Sequence, residues 1–444
     1  MGKIGPLMQN ALAKIEGVSA SRASAMMATL SAEDHGDDLP AVVQADPERP
    51  RQGEAWEEYA ARTRERLRPL QERLEGLFGI ETELLITANA IKARPRPDQV
   101  AMIAEQPDVA AIELDPLLRV TLMDDAVEDV ELPAFQAAHP GIDGSGVRVA
   151  VLDSGIDLAH PFLQVSDSVT TCGESDQVPG DHGTHCAGSI ASRDTLFPGV
   201  APGVELINVK VLFADGRGQS TYITRGIDEA LTRGAQVLSM SLGFNHLPRW
   251  SDRGHGWSCP DGRCQLCVAV DNAVGLDRVV TVVAAGNEHL RAETLRNFGF
   301  GSAFDTELGC PGNAREAIAV GALTKKTFLP AGFSSRGPTS YGLSKPDLCA
   351  PGVNVTSTVP VPRDAQQQPI PNPSRAVLFD RMSGTSMATP IVAGAVALLI
   401  QIEQDAGRPW DPAGLRQALL GTATSPMALP PNLVGAGRLV LGGI

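Results

Sequence analysis

Two apolar runs beyond the first third of the chain predict buried secondary structure. Residues 147–152 are almost continuously apolar and rich in β-branched side chains, which is typical of a parallel strand covered on both faces. Residues 391–402 are apolar on every side of a helix, which predicts a helix buried in the core. Together these runs favour an α/β domain with a parallel sheet.

The first third of the chain has a different pattern. Residues 1–38 are small, polar and poorly periodic, which predicts a flexible lead. Residues 39–45 have strand character, and residues 54–77 have the period of an amphipathic helix that Pro69 should kink or reset. The apolar side of this helix is expected to carry Trp56, Tyr59, Leu67, Leu70, Leu74 and Leu77.

Three shorter segments complete the N-terminal region. Residues 83–93 and 109–114 have strand character, and residues 98–105 have helical character. The resulting order β-α-β-β-α-β describes a small ferredoxin-like α+β domain, which we place at residues 39–122. Residues 123–143 are then expected to be a linker to the α/β domain.

The composition limits the partners of the protein. The chain of 444 residues has a net charge of −15, which argues against nucleic acid or an anionic membrane as a partner. No apolar run is long enough to span a bilayer, and residues 391–402 are the longest candidate. The N-terminal residues lack the unbroken apolar core of a secretory signal. We therefore expect a cytoplasmic protein, with secretion by an unrecognised route as the alternative.

Residues with nucleophile and base chemistry stand beside the apolar runs. Ser386 precedes the predicted helix, where free N–H groups favour a developing negative charge, although most serines there are only N-caps. Asp153 follows the predicted strand, where open α/β sheets place their sites, but it could equally be a turn residue. His182 and His185 could be a base and a packed residue, or metal ligands. Aspartate, histidine and serine together favour a nucleophile, a base and an orienting group.

Three blocks around these residues carry a family resemblance. Asp153-Ser154-Gly155, His182-Gly183-Thr184-His185-Cys186-Ala187-Gly188 and Gly384-Thr385-Ser386-Met387-Ala388-Thr389-Pro390 resemble the signature blocks of the subtilisin-like serine peptidases, in the same order. The resemblance extends from about Gly144 to Gly437. It implies a subtilisin-like, three-layer catalytic domain with a parallel sheet, which we place at residues 144–444.

The resemblance implies a role for each site residue. Ser386 is the nucleophile, His182 is the general base, and Asp153 holds the imidazole in the useful tautomer. The apolar block that ends in Asn287 resembles the strand whose asparagine donates to the oxyanion, a task shared with the backbone N–H of Ser386. His185 falls at the second, non-catalytic histidine of the family and is expected to pack.

Further matches imply a substrate cleft. The segment that ends in Gly243 resembles a strand edge that pairs with the substrate backbone, and Gly309 resembles the floor of the first specificity pocket. Small walls and a glycine floor predict a preference for large apolar side chains before the cleaved bond, although Glu288 at the rim could favour basic ones. The implied substrate-binding residues are Ser241, Leu242, Gly243, Ala284, Ala285, Gly286 and Gly309.

The N-terminal domain also resembles a known part of this family. Residues 91–93 and 106–115 resemble the inhibitory, chaperone-like propeptides of subtilisin-like peptidases. This resemblance implies that residues 39–122 inhibit the catalytic domain and are removed by self-cleavage near residues 122–125. An unrelated regulatory domain is the alternative.

The seven cysteines leave several possibilities open. Cys259, Cys264 and Cys267 could bind zinc with Cys310, His246 or His255 as the fourth ligand, could include a disulfide, or could be unpaired thiols. The catalytic chemistry requires no cofactor. Calcium is doubtful, because the link after Cys186 lacks the asparagine-rich loop of many relatives and Asp194 alone is a poor cage.

These expectations converge on an enzyme. We expect a serine endopeptidase that forms an acyl-enzyme with protein or peptide substrates and is made as a self-cleaving zymogen. Insertions at residues 289–308 and 359–381 could narrow its range to that of a processing peptidase. A catalytically silent peptide-binding protein is the alternative from a different class, and the complete set of site residues speaks against it.

Overall fold

The chain forms two compact units, which are described separately. They comprise Met1–Val120 and Thr121–Ile444. The structure is a computed structural model that describes residues 41–44, 56–85, 90–114, 124–247, 259–276, 279–298, 304, 306–364, 366–425 and 429–444. The lead expected over residues 1–38 and the segment around the expected cleavage site, residues 115–123, lie outside the described residues.

The described residues of the first unit form a four-stranded antiparallel sheet and two helices. The sheet order is β2-β3-β1-β4, which is the arrangement of a ferredoxin-like fold. Its core joins Val43, Ile91 and Ile112 of the sheet to the buried leucines of the first helix. The elements are β1 (Ala41–Gln44), α1 (Trp56–Phe78), β2 (Thr82–Leu85), β3 (Ala90–Ala93), α2 (Pro97–Ala104) and β4 (Ala111–Leu114).

Some local expectations for the first unit need correction. The strand character of residues 83–93 belongs to two paired strands, β2 and β3, as the predicted order β-α-β-β-α-β requires. Helix α1 continues through Pro69, whose side of the helix is exposed. Leu77 is 71% exposed, because the buried face of α1 passes through Leu67, Leu70 and Leu74 instead. The side chains of Trp56 and Tyr59 lie outside the described residues.

The second unit contains a seven-stranded parallel sheet, as expected for a three-layer α/β fold. Its order is β11-β10-β9-β8-β5-β7-β6. The strand order reverses between β5 and β8, which makes a topological switch point of the kind that hosts sites in α/β sheets. The strands are β5 (Arg148–Asp153), β6 (Val165–Thr170), β7 (Glu205–Lys210), β8 (Val237–Met240), β9 (Val280–Ala284), β10 (Ile318–Leu323) and β11 (Leu348–Pro351).

Helices cover both faces of this sheet. In β5, Val149 and Val151 pack in one core cluster, and Ala150 and Leu152 pack in the other, as the two-residue period of a strand requires. Two further strands, β12 (Val355–Thr358) and β13 (Phe379–Met382), form an antiparallel pair in this unit. The helices are α3 (Asp124–Asp129), α4 (Leu132–Ala138), α5 (Asp181–Ala191), α6 (Ser220–Thr232), α7 (Gln265–Val274), α8 (His289–Asn297), α9 (Thr385–Asp405), α10 (Pro412–Thr422) and α11 (Pro431–Val434).

Helix α9 is the central element of one face. It has the length and composition of a membrane-spanning helix, but 89% of its most apolar window is buried inside the unit. It packs against α5 and against strands β8 to β11. The buried helix predicted from residues 391–402 is therefore the middle of α9.

The segment expected to be a linker is largely folded. Helices α3 and α4 fall inside residues 123–143, and their apolar side chains join the main core of the second unit. Val130 and Phe135 are fully buried there. Because short helices with few apolar positions lack a clear period, the sequence pattern did not distinguish them from a linker.

Candidate active site

The expected site residues gather where the central strands end. Asp153 is the last residue of β5, Ser241 follows β8 and Asn287 follows β9, all at the carboxyl edge beside the switch point. They line one cleft of about 1030 Å³. The expected residues on that cleft are Asp153, His182, Ser241, Leu242, Gly243, Ala284, Gly286, Asn287, Gly309 and Ser386.

Asp153 and His182 form a close pair. Nδ1 of His182 lies 2.8 Å and 3.0 Å from the two carboxylate oxygens of Asp153. His182 lies in the first turn of α5. The next residue, Gly183, lets this turn pack closely against the backbone at Gly155, since a Cβ at Gly183 would lie 2.6 Å from the carbonyl oxygen of Gly155. Burial opposes a charge on the imidazole, but the adjacent Asp153 carboxylate and the Cys186 sulfur together outweigh burial and raise the pKa of His182 well above 6.5.

Ser386 lies in the first turn of α9. Its hydroxyl donates to the carbonyl of Ser241 at 3.1 Å, and the Ser241 hydroxyl donates back to the carbonyl of Ser386 at 2.8 Å. Within the described part of the chain, Ser386 makes no hydrogen bond to His182. Rotation about the Cα–Cβ bond of Ser386 is therefore needed to direct its hydroxyl toward the base.

Asn287 is held in one orientation. Its side-chain oxygen accepts the backbone N–H of Thr385 at 2.9 Å and the Thr385 hydroxyl at 3.1 Å. The same hydroxyl accepts the N–H of Gly286 at 3.2 Å. Because the oxygen is occupied, the amide nitrogen is the end of Asn287 that remains to donate. Thr385 is a supporting residue that the motif contains but the sequence analysis did not single out.

Two of the implied substrate residues have clear backbone roles. The N–H of Gly309 donates to the carbonyl of Ala285 at 3.0 Å, which ties the pocket floor to the wall. Ala285 itself is fully buried and does not line the cleft, so its side chain is not part of the wall as expected. The wall residue Gly286 has φ +114°, and a Cβ there would lie 2.8 Å from the hydroxyl of Ser335.

The structure adds a cleft wall that the sequence analysis missed. Residues Ala214 to Gly218, between β7 and α6, also line the cleft. The buried Lys210 lies beneath this wall and pairs with Glu174 at 2.9 Å, and Glu174 accepts the N–H of Ala214 at 2.7 Å. A hydrogen bond from Lys210 lowers the pKa of Glu174. The turn sequence Asp215-Gly216 was the available signal for this loop.

The other histidine and cysteine of the motif are packed. His185 is fully buried, its Nε2 lies 3.0 Å from the carbonyl oxygen of Val355, and burial lowers its pKa to about 4. The buried Cys186 places its Sγ 3.9 Å from Nδ1 of His182. A neutral, enclosed imidazole fits the packing role expected for His185.

Asp194, the one acidic candidate for a calcium site, is already engaged. Its carboxylate pairs with the guanidinium of Arg375 and accepts the N–H groups of Leu196 and Phe197, both at 2.8 Å. The side chain is 2% exposed. An arginine therefore supplies the positive charge at this carboxylate.

Four cysteines meet beside the pocket floor. The Sγ atoms of Cys259, Cys264, Cys267 and Cys310 all lie within 4.8 Å of one another. Of the other two candidate ligands, His246 lies next to Cys310, with 3.2 Å between Nε2 and Sγ, and His255 lies outside the described residues. The structure thus selects Cys310 as the fourth member of the cluster.

Known proteins are similar in sequence to this chain over most of its length. Residues 144–437 match the model of the subtilase family. Subtilisin E of Bacillus subtilis (strain 168) is 33% identical over 343 residues, which are 76% of this chain and 76% of that relative. An alkaline protease of Shouchella clausii is 36% identical over 345 residues, or 74% of each chain. Subtilisin BL of Lederbergia lenta is 36% identical over 315 residues, or 70% of this chain and 94% of the relative.

These matches correct the expected location of the protein and confirm the expected family and enzyme class. The expectation of a cytoplasmic protein is wrong, since the matching relatives are secreted, extracellular subtilisins. The cytoplasmic expectation was based on the lack of a signal-like apolar core among the N-terminal residues. The lack of such a core does not establish where a protein is located. Subtilases need no cofactor, although relatives often bind calcium. The chain belongs to the subtilase family and is a serine endopeptidase that acts on proteins or peptides.

Proposed function

We propose that this endopeptidase uses Ser386 as nucleophile, His182 as general base and Asp153 as the group that orients the base. The observation that carries the proposal is the contact of Nδ1 of His182 with both oxygens of the buried Asp153 carboxylate, in the cleft that also holds Ser386. With a proton fixed on Nδ1, Nε2 is the basic nitrogen.

The proposed reaction proceeds through an acyl-enzyme. Ser386 attacks the scissile carbonyl while its proton passes to His182, whose positive charge Asp153 stabilises. The oxyanion accepts hydrogen bonds from the side-chain amide of Asn287 and from the backbone N–H of Ser386 in the first turn of α9. His182 then protonates the leaving amine, and water hydrolyses the ester by the same steps in reverse order.

A fluorophosphonate probe tests the nucleophile. The wild-type chain is expected to form a covalent adduct at Ser386, and Ser386→Ala is expected to form none. Ser383→Ala is the matched control, because Ser383 lies three residues earlier and does not line the cleft. A wild-type enzyme that remains unlabelled after removal of its N-terminal region would instead support the silent peptide-binding protein.

The pocket favours large apolar side chains before the cleaved bond. Ala284, Gly286 and Gly309 provide small walls and an open floor. Glu288, the residue that could favour basic side chains, lies 3.5 Å from Arg291 and 3.4 Å from the amide of Asn245. Because Arg291 partly neutralises Glu288, the rim offers less attraction to a basic substrate. Cleavage of a peptide library with equal preference for Arg and Leu at this position would contradict the assignment.

The first unit is proposed to be an inhibitory propeptide. Its ferredoxin-like topology and its position before the catalytic unit support this role. Self-cleavage near residues 122–125 is then expected to release the active enzyme. Intact-mass measurement checks this: wild type is expected to lose the N-terminal region, while Ser386→Ala keeps it. Full activity of a chain that still begins at Met1 would contradict the zymogen.

A narrower processing role remains the alternative within the enzyme class. The expected insertion at residues 289–308 contributes α8, which begins beside the rim residue Glu288. Profiling of cleavage across a peptide library separates the two roles. Cleavage after many large apolar residues supports a general endopeptidase, whereas a requirement for several specific flanking residues supports a processing peptidase.

A further inference from the structure

The four-cysteine cluster has the dimensions of a metal site. The Sγ atoms of Cys267 and Cys310 are 3.6 Å apart, and those of Cys259 and Cys267 are 3.9 Å apart. Four thiolates at about 2.3 Å from a tetrahedral zinc ion have sulfur–sulfur separations of about 3.8 Å. A disulfide would bring two sulfurs to about 2.0 Å. The observed spacing matches the edges of the zinc tetrahedron and not a disulfide.

The surroundings of the sulfurs also suit thiolates. The backbone N–H of Cys264 donates to Sγ of Cys259 at 3.2 Å, and His246 lies within hydrogen-bond distance of Sγ of Cys310. Cys264 caps α7 and Cys267 lies in its first turn, where the helix dipole favours negative charge. Hydrogen bonds of this kind orient the ligands of metal sites and partly offset the charge of the sulfurs.

We propose that Cys259, Cys264, Cys267 and Cys310 bind one structural Zn²⁺ ion. All four tetrahedral positions are taken by protein sulfurs, which is the arrangement of structural zinc and leaves no place for a catalytic water. The spacing of the first three cysteines also occurs in two-iron ferredoxins. A two-iron cluster divides its four thiolates between two metals and spreads them more widely, so sulfurs that all lie within 4.8 Å of one another fit a single ion.

The zinc ion would fasten the segment between β8 and β9 to the substrate pocket. Cys259, Cys264 and Cys267 belong to the segment between β8 and β9, whereas Cys310 follows the floor residue Gly309 directly. Cys310 also exchanges two backbone hydrogen bonds with Phe244, each of 2.9 Å, near the start of the same segment. The ion would hold the part of the segment that contains Cys259, Cys264 and Cys267 against the floor of the pocket, where these backbone hydrogen bonds already hold Phe244.

Metal analysis of the untagged full-length Ser386→Ala chain, which cannot digest itself, tests the site. Mass spectrometry of the elements is expected to find one zinc per chain. Replacement of zinc by Co²⁺ is expected to give the intense sulfur-to-cobalt charge-transfer bands of a tetrahedral four-thiolate site. Both measurements use unaltered cysteines, so they do not depend on whether a cysteine variant folds.

Paired variants locate the ion. Cys264→Ser combined with Cys267→Ser is expected to lose the zinc, while Cys172→Ser keeps it, because the buried Cys172 lies outside the cluster. A chain that contains no zinc and two disulfides would overturn the proposal. So would iron with acid-labile sulfide in place of zinc, or one zinc per chain retained by the double variant.

Discussion

The side-chain oxygen of Asn287 accepts two hydrogen bonds from Thr385, one from its backbone N–H at 2.9 Å and one from its hydroxyl at 3.1 Å. This contact leaves the amide nitrogen of Asn287 to donate to the oxyanion. Asn287→Leu is therefore expected to lower kcat by about 10²–10³-fold, the loss known for the corresponding donor in subtilisin, with little change in KM. Steady-state kinetics on a peptide amide substrate measures both constants. A rise in KM with kcat unchanged would instead indicate a substrate-binding role.

Thr385 is expected to act as a positioning residue for Asn287. Thr385→Val removes the hydroxyl that donates to Asn287 and accepts from Gly286, and it is expected to lower kcat by about 10-fold, which corresponds to about 1.4 kcal/mol. Thr385→Ser keeps the hydroxyl and should retain most of the activity. If Thr385→Ser loses activity and Thr385→Val does not, the methyl group and its packing matter, and the hydroxyl does not.

The pair of Asp153 and His182 predicts the pH dependence of the enzyme. Only the neutral imidazole can accept a proton, and Asp153 raises the pKa of His182 well above 6.5. Activity is therefore lost as the pH falls through this raised pKa, and the acidic limb of the kcat/KM profile should have its midpoint above 6.5.

The same pair has a direct control. Asp153→Asn removes the carboxylate charge while keeping the size of the side chain. It should move the acidic midpoint toward lower pH and reduce kcat by about 10⁴-fold, as in other serine peptidases that lose this group. A profile of unchanged midpoint in the variant would show that Asp153 does not set the pKa of His182.

The sequence predicted the site residues better than their supports. Asp153 follows a strand and Ser386 begins a helix with a clear apolar pattern, so their place at one sheet edge could be predicted, whereas Asn287 was predicted from the family resemblance. The contact between Thr385 and Asn287 could not, because it joins positions 98 residues apart.

The cysteine cluster shows the same limit. Three of the cysteines are close together in the sequence. The fourth member, Cys310 and not His246, depends on the backbone pairing of Phe244 with Cys310, which joins distant parts of the chain. In the first unit, the exposure of Leu77 depends on where along α1 the packing of the helix against the sheet ends. Local periodicity does not contain that information.

Gly309 offers a test of the pocket. A Cβ at Gly309 would have its nearest neighbour at 3.5 Å and its φ is not positive, so a side chain can be added there without strain. Gly309→Val should narrow the floor and lower kcat/KM by about 10–200-fold for substrates with Phe or Leu before the cleaved bond. Substrates with Ala at that position should be little affected.

The matched control adds the same side chain elsewhere. Gly332 has open space around its Cβ position and does not line the cleft, so Gly332→Val should leave the preference unchanged. A uniform loss for Phe, Leu and Ala substrates in Gly309→Val would show that Gly309 supports the fold of the cleft and does not form its floor.

Arg375 is expected to stabilise the catalytic unit by balancing the charge of the buried Asp194 carboxylate. The Asp194 carboxylate is almost completely buried, and its oxygens already contact Arg375 and two backbone N–H groups. A calcium ion requires six to eight oxygen ligands, and this carboxylate can supply few of them. Arg375→Gln should lower the free energy of unfolding by about 1–3 kcal/mol, because it leaves a buried carboxylate without its charged partner. Urea unfolding of Ser386→Ala with and without this change measures the loss, and the exposed Arg381 on β13 provides the control Arg381→Gln. Added calcium should leave the unfolding midpoint of the parent chain unchanged, and a clear increase would show a calcium site that Asp194 does not form.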